Sequence, residues 1–325
     1  MRKFLLNILF FISPFLVLFA VIGIVDPYDF FRESKNERKR HICKPFDWGF
    51  LQYTIDYKRA QNANMIFGAS RPDVIQCSDI PENDWGKMTF GGATIPEYLQ
   101  AFWYCTEFGK LKKIIIATDV YGYLYSFPSN SGRYDGIIDL VSHPYRYFYS
   151  QFVWNATWAY LESFTPSTSP IGGGIKGTND EMWLSRIKST QDICLNNMPK
   201  SENELYEKIA QISSMFRRVK QYCDDHIINV VVITPIISID IYNMYMQHFP
   251  IVYDMVMRNL VDIFGTVVDY GWPNAYTSNK QNFSDPMHVK SDSLYIRTMW
   301  HRGSEQSDYC RYIDRSNIDE ILKKK

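Results

Sequence analysis

The chain has no excess charge of either sign, since 35 lysines and arginines stand against 35 aspartates and glutamates. Without a net field nothing draws it as a whole to nucleic acid, and nucleic-acid binding is set aside. It has six cysteines, at 43, 77, 105, 194, 223 and 310, with no C-x-x-C pair and no metal-ligand spacing, so neither a metal centre nor a cofactor is expected. Their even number allows up to three disulfides in an oxidising compartment and fits six buried thiols equally well. Internal repeats are missing, and the one low-complexity tract is a Gly/Ser/Pro loop at residues 165–174. What the chain does have is apolar and aromatic mass. Of its 325 residues 46% are hydrophobic and 16% aromatic, enough for the core of one large or two ordinary domains.

Arg2 and Lys3 precede an uncharged run at residues 4–25, interrupted only by Asn7, Ser13, Pro14 and Gly23. At about 1.5 Å per residue it matches a hydrocarbon core about 30 Å thick, whereas cleaved signals carry only about 7–15 apolar residues. No A-x-A-like cleavage site comes after it. Residues 1–25 are therefore expected to be an uncleaved transmembrane anchor, and membrane the first partner. Arg32, Lys35, Arg38, Lys39 and Arg40 outnumber the two leading charges, so the positive-inside count alone favours a cytoplasmic location for the chain beyond the anchor.

Residues 26–60 read as a juxtamembrane stem and lead-in, and residues 61–310 as the main domain. Within it, Met65-Ile66-Phe67, the stretch at 87–93, Lys112-Lys-Ile-Ile-Ile-Ala-Thr-Asp119, Asn229-Val-Val-Val-Ile-Thr-Pro-Ile236 and Gly265-Thr-Val-Val-Asp-Tyr270 are strand candidates. Between them, residues 95–110, 202–225 and 241–264 have helical periodicity. This alternation predicts an α/β fold: a doubly wound, flavodoxin-like parallel sheet of about five strands, with helices on both faces. Residues 121–200 are irregular and read as an insertion across the mouth of a site. Tyr145, Tyr147, Phe148, Tyr149, Trp154 and Trp158 inside it fit either a sugar-stacking wall or a packed helical core. Residues 311–325 read as a charged tail.

The chemistry-bearing stretch is Asn62-Ala-Asn-Met-Ile-Phe-Gly-Ala-Ser-Arg71, a strand entering a small-residue turn that ends on Ser70. Open α/β sheets keep their ligands at that carboxyl edge. A serine there needs a base, and Asp285-Pro-Met-His288 comes after the last strand. An aspartate three residues before a histidine can orient the imidazole from one nitrogen while the other faces a nucleophile.

Taken together, these blocks resemble the SGNH, or GDSL-like, hydrolase superfamily, in particular membrane-anchored forms related to cell-envelope acyl-transfer proteins. The resemblance covers roughly residues 62–302. Its first block, Gly-Asp-Ser, is matched by Gly68-Ala69-Ser70, with Ala69 departing. Its second block, a glycine whose N–H faces the oxyanion, is matched by Gly91 or Gly92. Its third contributes an asparagine, where this chain has Thr118-Asp119. Its last, Asp-x-x-His, is matched by Asp285 and His288. The resemblance implies a nucleophilic Ser70, a base His288, an orienter Asp285, and an oxyanion hole from the Ser70 and Gly92 N–H groups. It also implies an extracytoplasmic domain, in the periplasm or at the cell surface. Arg71 and Asp119 are candidate substrate contacts, or else a salt bridge and a structural carboxylate inside the fold.

The function so implied is a serine esterase or O-acyltransferase on a cell-envelope glycan, with an acylated glycan or acyl donor as substrate. The missing asparagine favours the alternative, a catalytically silent glycan-binding or scaffolding subunit with a protein partner in a membrane complex.

Overall fold

The computed structural model describes residues 2–33, 39, 42–43, 48–126, 132–164, 180–291, 293–300 and 308–323. The chain opens with α1 (Arg2–Val25) and α2 (Trp48–Ala60), then β1 (Asn64–Gly68), β2 (Trp85–Thr89), α3 (Ile95–Thr106), β3 (Lys113–Ala117) and α4 (Val120–Ser126). Five helices come next: α5 (Gly132–Ser142), α6 (Pro144–Tyr147), α7 (Gln151–Glu162), α8 (Asp180–Asn197) and α9 (Glu202–Asp225). Then come β4 (Asn229–Thr234), α10 (Ile239–His248), α11 (Pro250–Phe264), β5 (Thr266–Asp269), β6 (Phe283–Asp285), β7 (His288–Val289), α12 (Ser293–Trp300), β8 (Arg311–Asp314) and α13 (Ile318–Lys323). The chain divides into two units, residues 1–56 with 135–174 and residues 57–134 with 175–325.

The second unit is built on a six-stranded sheet of order β2-β1-β3-β4-β5-β8. The first five strands are parallel, and β8 joins the edge antiparallel to β5. All five predicted strands are present, because continuous β-branched runs suit a sheet buried on both faces. Met65, Phe67, Ile114, Ile116, Val232 and Val267 point to one face, where Phe67 meets Phe102 of α3 edge-on at 5.7 Å and α9 and α11 pack on β4. Ile66, Ile115, Ala117, Ile233 and Val268 point to the other, into a core shared with Trp183, Phe283, Val289, Leu294 and Tyr295. The chain runs outward from β1 in both directions, so the switch point of the sheet lies between the ends of β1 and β3.

Three expectations from the sequence are corrected by the fold. Residues 311–325 are not simply a charged tail, since Arg311–Asp314 is a sheet strand with Ile313 fully buried. The helical pattern at 241–264 is two helices. Pro250 opens the second, where its missing N–H is harmless, and α10 ends at His248 with Phe249 capping both helices. The region read as an irregular insertion holds five ordered helices, while the loop at 165–174 lies outside the described residues.

In the first unit, α1 covers the apolar N-terminal run, with Pro14 inside it. Among the described residues no helix is long and apolar enough to cross a membrane, so the expected transmembrane helix is not supported by the fold. The side chains of Leu5, Leu6 and Leu9 lie outside that description. The start of the stem is folded rather than extended. Asp26 accepts from the N–H groups of Phe30, Phe31 and Arg32 at 2.8, 2.9 and 3.0 Å and from the Tyr147 hydroxyl at 3.1 Å. Buried Lys39 donates to the Asp26 carbonyl at 2.8 Å and pairs with Asp29. The aromatic stretch divides in two. Tyr147 stacks on Phe30 in the interior, whereas Tyr145, Tyr149 and Trp158 are exposed.

Candidate active site

β1 ends at Gly68, where there is no room for a side chain. A Cβ on this residue would lie 2.8 Å from Pro72 Cγ and 3.1 Å from the Ala117 carbonyl. The backbone then turns, with Ser70 in the right-handed region at φ −68°, ψ −23°, and a short 3₁₀ turn runs over Arg71–Val74. This lifts the Ser70 hydroxyl to the carboxyl edge of the sheet.

The partner arrives on the β6–β7 hairpin, in which Asp285 is paired with His288. Phe283 and Val289 are buried at its base. The turn is held by Asp285 itself, whose Oδ1 accepts from the Met287 N–H at 2.7 Å and the His288 N–H at 3.1 Å. His288 Nδ1 lies 2.8 Å from Asp285 Oδ2, and His288 Nε2 lies 2.8 Å from Ser70 Oγ. A carboxylate only accepts, so Nδ1 carries the hydrogen, and in the tautomer without a hydrogen on Nε2 the imidazole presents a lone pair to the serine. Burial works against the Asp285 charge, but the hydrogen bond and charge of His288, the Met287 amide and the charge of Arg186 outweigh it. Its pKa lies below the usual carboxylate value. Ser70, His288 and Asp285 thus form a continuous relay between residues 218 positions apart, each partly open to solvent.

No cysteine competes for the nucleophilic role. None of the six is in a disulfide, and burial pushes Cys43, Cys194 and Cys223 up to about 12 and Cys77 to about 11.

Arg71 and Asp119 form the salt bridge inside the fold, the alternative to their reading as substrate contacts. Both are buried, and they bind each other through two contacts, Nη1 to Oδ2 and Nη2 to Oδ1, the latter at 2.7 Å. Asp119 Oδ1 also accepts from the Gly122 N–H at 3.0 Å. The pair ties the Ser70 turn, after β1, to the start of α4, after β3. Thr118, the other residue at the position where the resemblance calls for asparagine, is 1% exposed. Asn282 donates its amide to the Tyr276 carbonyl at 2.9 Å.

Gly91 and Gly92 come after β2, level with the Ser70 turn, because Gly68 is in register with Thr89 and the Phe90 N–H donates to the Gly68 carbonyl at 3.1 Å. Gly92 has φ +66°, which favours glycine. Its carbonyl accepts from Arg133 at 3.0 Å, and Arg133 is held by Glu97 through contacts of 2.8 and 2.9 Å. No local pattern signals this support, since Arg133 lies 36 positions from Glu97 in the region read as irregular.

No metal-binding cluster of histidine, cysteine or carboxylate groups occurs among the described residues. Compared with known proteins, the chain matches no family model, no curated protein and no solved structure.

Proposed function

We propose that the protein is a membrane-anchored serine esterase or O-acyltransferase of the SGNH type, acting through an acyl-serine intermediate on an acylated cell-envelope glycan. The observation that carries this reading is the relay from Asp285 through His288 to Ser70, with 2.8 Å at each step, at the carboxyl edge of a parallel sheet. In the reaction Ser70 Oγ attacks the ester carbonyl while His288 Nε2 takes its proton. The tetrahedral oxyanion is held by the Ser70 and Gly92 N–H groups, and its collapse expels the alcohol, which leaves with the proton from His288. Water or a sugar hydroxyl then attacks the acyl-serine, again giving its proton to His288, and as the acyl product departs His288 returns that proton to Ser70 Oγ. The apolar run at residues 4–25 is the anchor, and its membrane-spanning role rests on the sequence. The resemblance places the domain outside the cytoplasm, and protease accessibility in intact cells tests that placement.

A second reading, a silent glycan-binding or scaffolding subunit, is favoured by one feature. Asp119 stands at the third-block position and is locked to Arg71, so it offers no hydrogen to an oxyanion. Loss of one such donor costs about 10²–10³ in turnover.

Labelling of the chain with a fluorophosphonate separates the two. The enzyme reading requires labelling that is lost in both Ser70→Ala and His288→Ala. A folded wild type that takes no label leaves the binding-subunit reading.

A further inference from the structure

One cation on a helix packed against the β6–β7 hairpin has no ion pair or hydrogen bond from its guanidinium among the described residues. Arg186 lies on α8, a helix whose buried face consists of Trp183, Thr190 and Cys194, with Ile187 packed against the core beside it. Trp183 meets Phe283, at the base of the β6–β7 hairpin, edge-on at 6.2 Å, and donates its indole N–H to Asp240 at 2.8 Å. The same helix packs against α4, which carries Tyr121. Arg186 is one turn beyond Trp183 and next to Ile187, on the rim of that buried face and exposed.

Its charge is one of the influences that favour the Asp285 carboxylate. Among the described residues the Arg186 guanidinium has no ion pair, unlike Arg71, Arg133 and Arg311, which are held by Asp119, Glu97 and Asp269. Tyr121 is half-buried beside Arg71, whose guanidinium carbon lies 5.4 Å from the ring centroid, and it stacks on Tyr125. Its hydroxyl has no hydrogen-bond partner among the described residues. Burial pushes the Tyr121 phenol up to about 12, so it keeps its hydrogen and remains a donor. Two unused donors, one charged and one neutral, therefore lie on the two helices that pack against the β6–β7 hairpin and against Arg71, the residue after Ser70.

We propose that Arg186, with the Tyr121 hydroxyl as a second donor, is the anion-recognising element of the Ser70 site, and that the ester it accepts carries a carboxylate or phosphate group. This rests on the acyl-transfer reading and adds its substrate class. A guanidinium with a neighbouring hydroxyl suits a planar carboxylate or a phosphate oxygen pair, and an ester without such a group leaves both donors to water.

The test uses the full-length chain in detergent and the ratio of kcat/KM for mono-p-nitrophenyl glutarate over p-nitrophenyl valerate, esters of equal chain length that differ by one carboxylate. Both are turned over by the same preparation, so the ratio does not depend on the fraction folded. Wild type is expected to favour the glutarate about tenfold, the scale of one charge-assisted hydrogen bond at an exposed site. Arg186→Gln brings the ratio to about one, and Arg186→Lys and Tyr121→Phe fall between. Stronger inhibition of valerate turnover by inorganic phosphate than by acetate assigns a phosphate-bearing substrate, and the reverse assigns a carboxylate. A ratio unchanged in Arg186→Gln, or no inhibition by either anion, overturns the proposal while Ser70 still takes a fluorophosphonate. A wild type whose Ser70 takes no fluorophosphonate overturns the acyl-transfer reading itself, and this proposal with it.

Discussion

Arg71 and Asp119 form a buried two-contact ion pair that joins the residue after Ser70 to the residue two beyond the end of β3. Burial works against the Arg71 charge, and Asp119 overcomes it, so each group depends on the other.

Asp119→Asn is therefore expected to strand a buried guanidinium and to destabilise the protein by about 3–5 kcal/mol. Replacing both partners, with Arg71→Met and Asp119→Leu, costs much less. Urea unfolding of the two variants checks this, and equal losses would show that the pair is not coupled.

Gly68→Ala places a methyl group against the Pro72 ring and the Ala117 carbonyl. The expected cost is about 1–3 kcal/mol, with a displaced Ser70 turn. Thermal unfolding reads the first effect and the rate of fluorophosphonate labelling the second. An alanine variant with wild-type stability and labelling would mean that this close approach does not shape the turn.

Asp285 has a depressed pKa in the folded chain, from the hydrogen bond and charge of His288, the Met287 amide and Arg186 acting against burial. For a group shifted in this direction, the stability it contributes is fully present above its ordinary value of 3.8 and is lost as pH falls through the depressed value. The stability gap between wild type and Asp285→Asn should accordingly shrink as pH drops below 3.8. Denaturant unfolding across that window measures it, and a constant gap would contradict the assignment.

The parts of the fold legible in the sequence are those whose burial writes a pattern. β1, β3 and β4 are runs of apolar and β-branched residues, and α9 repeats Leu205, Ile209, Ile212, Phe216 and Val219 at helical spacing. Ser70 is legible because it follows such a strand, and Asp285 and His288 because of their Asp-x-x-His spacing. β8 is not, since it is a short edge strand of alternating polarity with only Ile313 fully buried. α8 escapes for a related reason. Its inward face mixes Trp183 with Thr190 and Cys194, too weak an apolar signal to separate from loop. The Arg71–Asp119 pairing spans 48 positions, and no local pattern announces a contact at that distance.

The central claim is that His288, held by Asp285, makes Ser70 a nucleophile that carries an acyl group. The most direct measurement is intact-mass analysis with peptide mapping after brief exposure of the full-length chain to p-nitrophenyl acetate. One acetyl group on Ser70, absent in His288→Ala, is the predicted result. Acetylation elsewhere, or equal acetylation of Ser70 without His288, would contradict it.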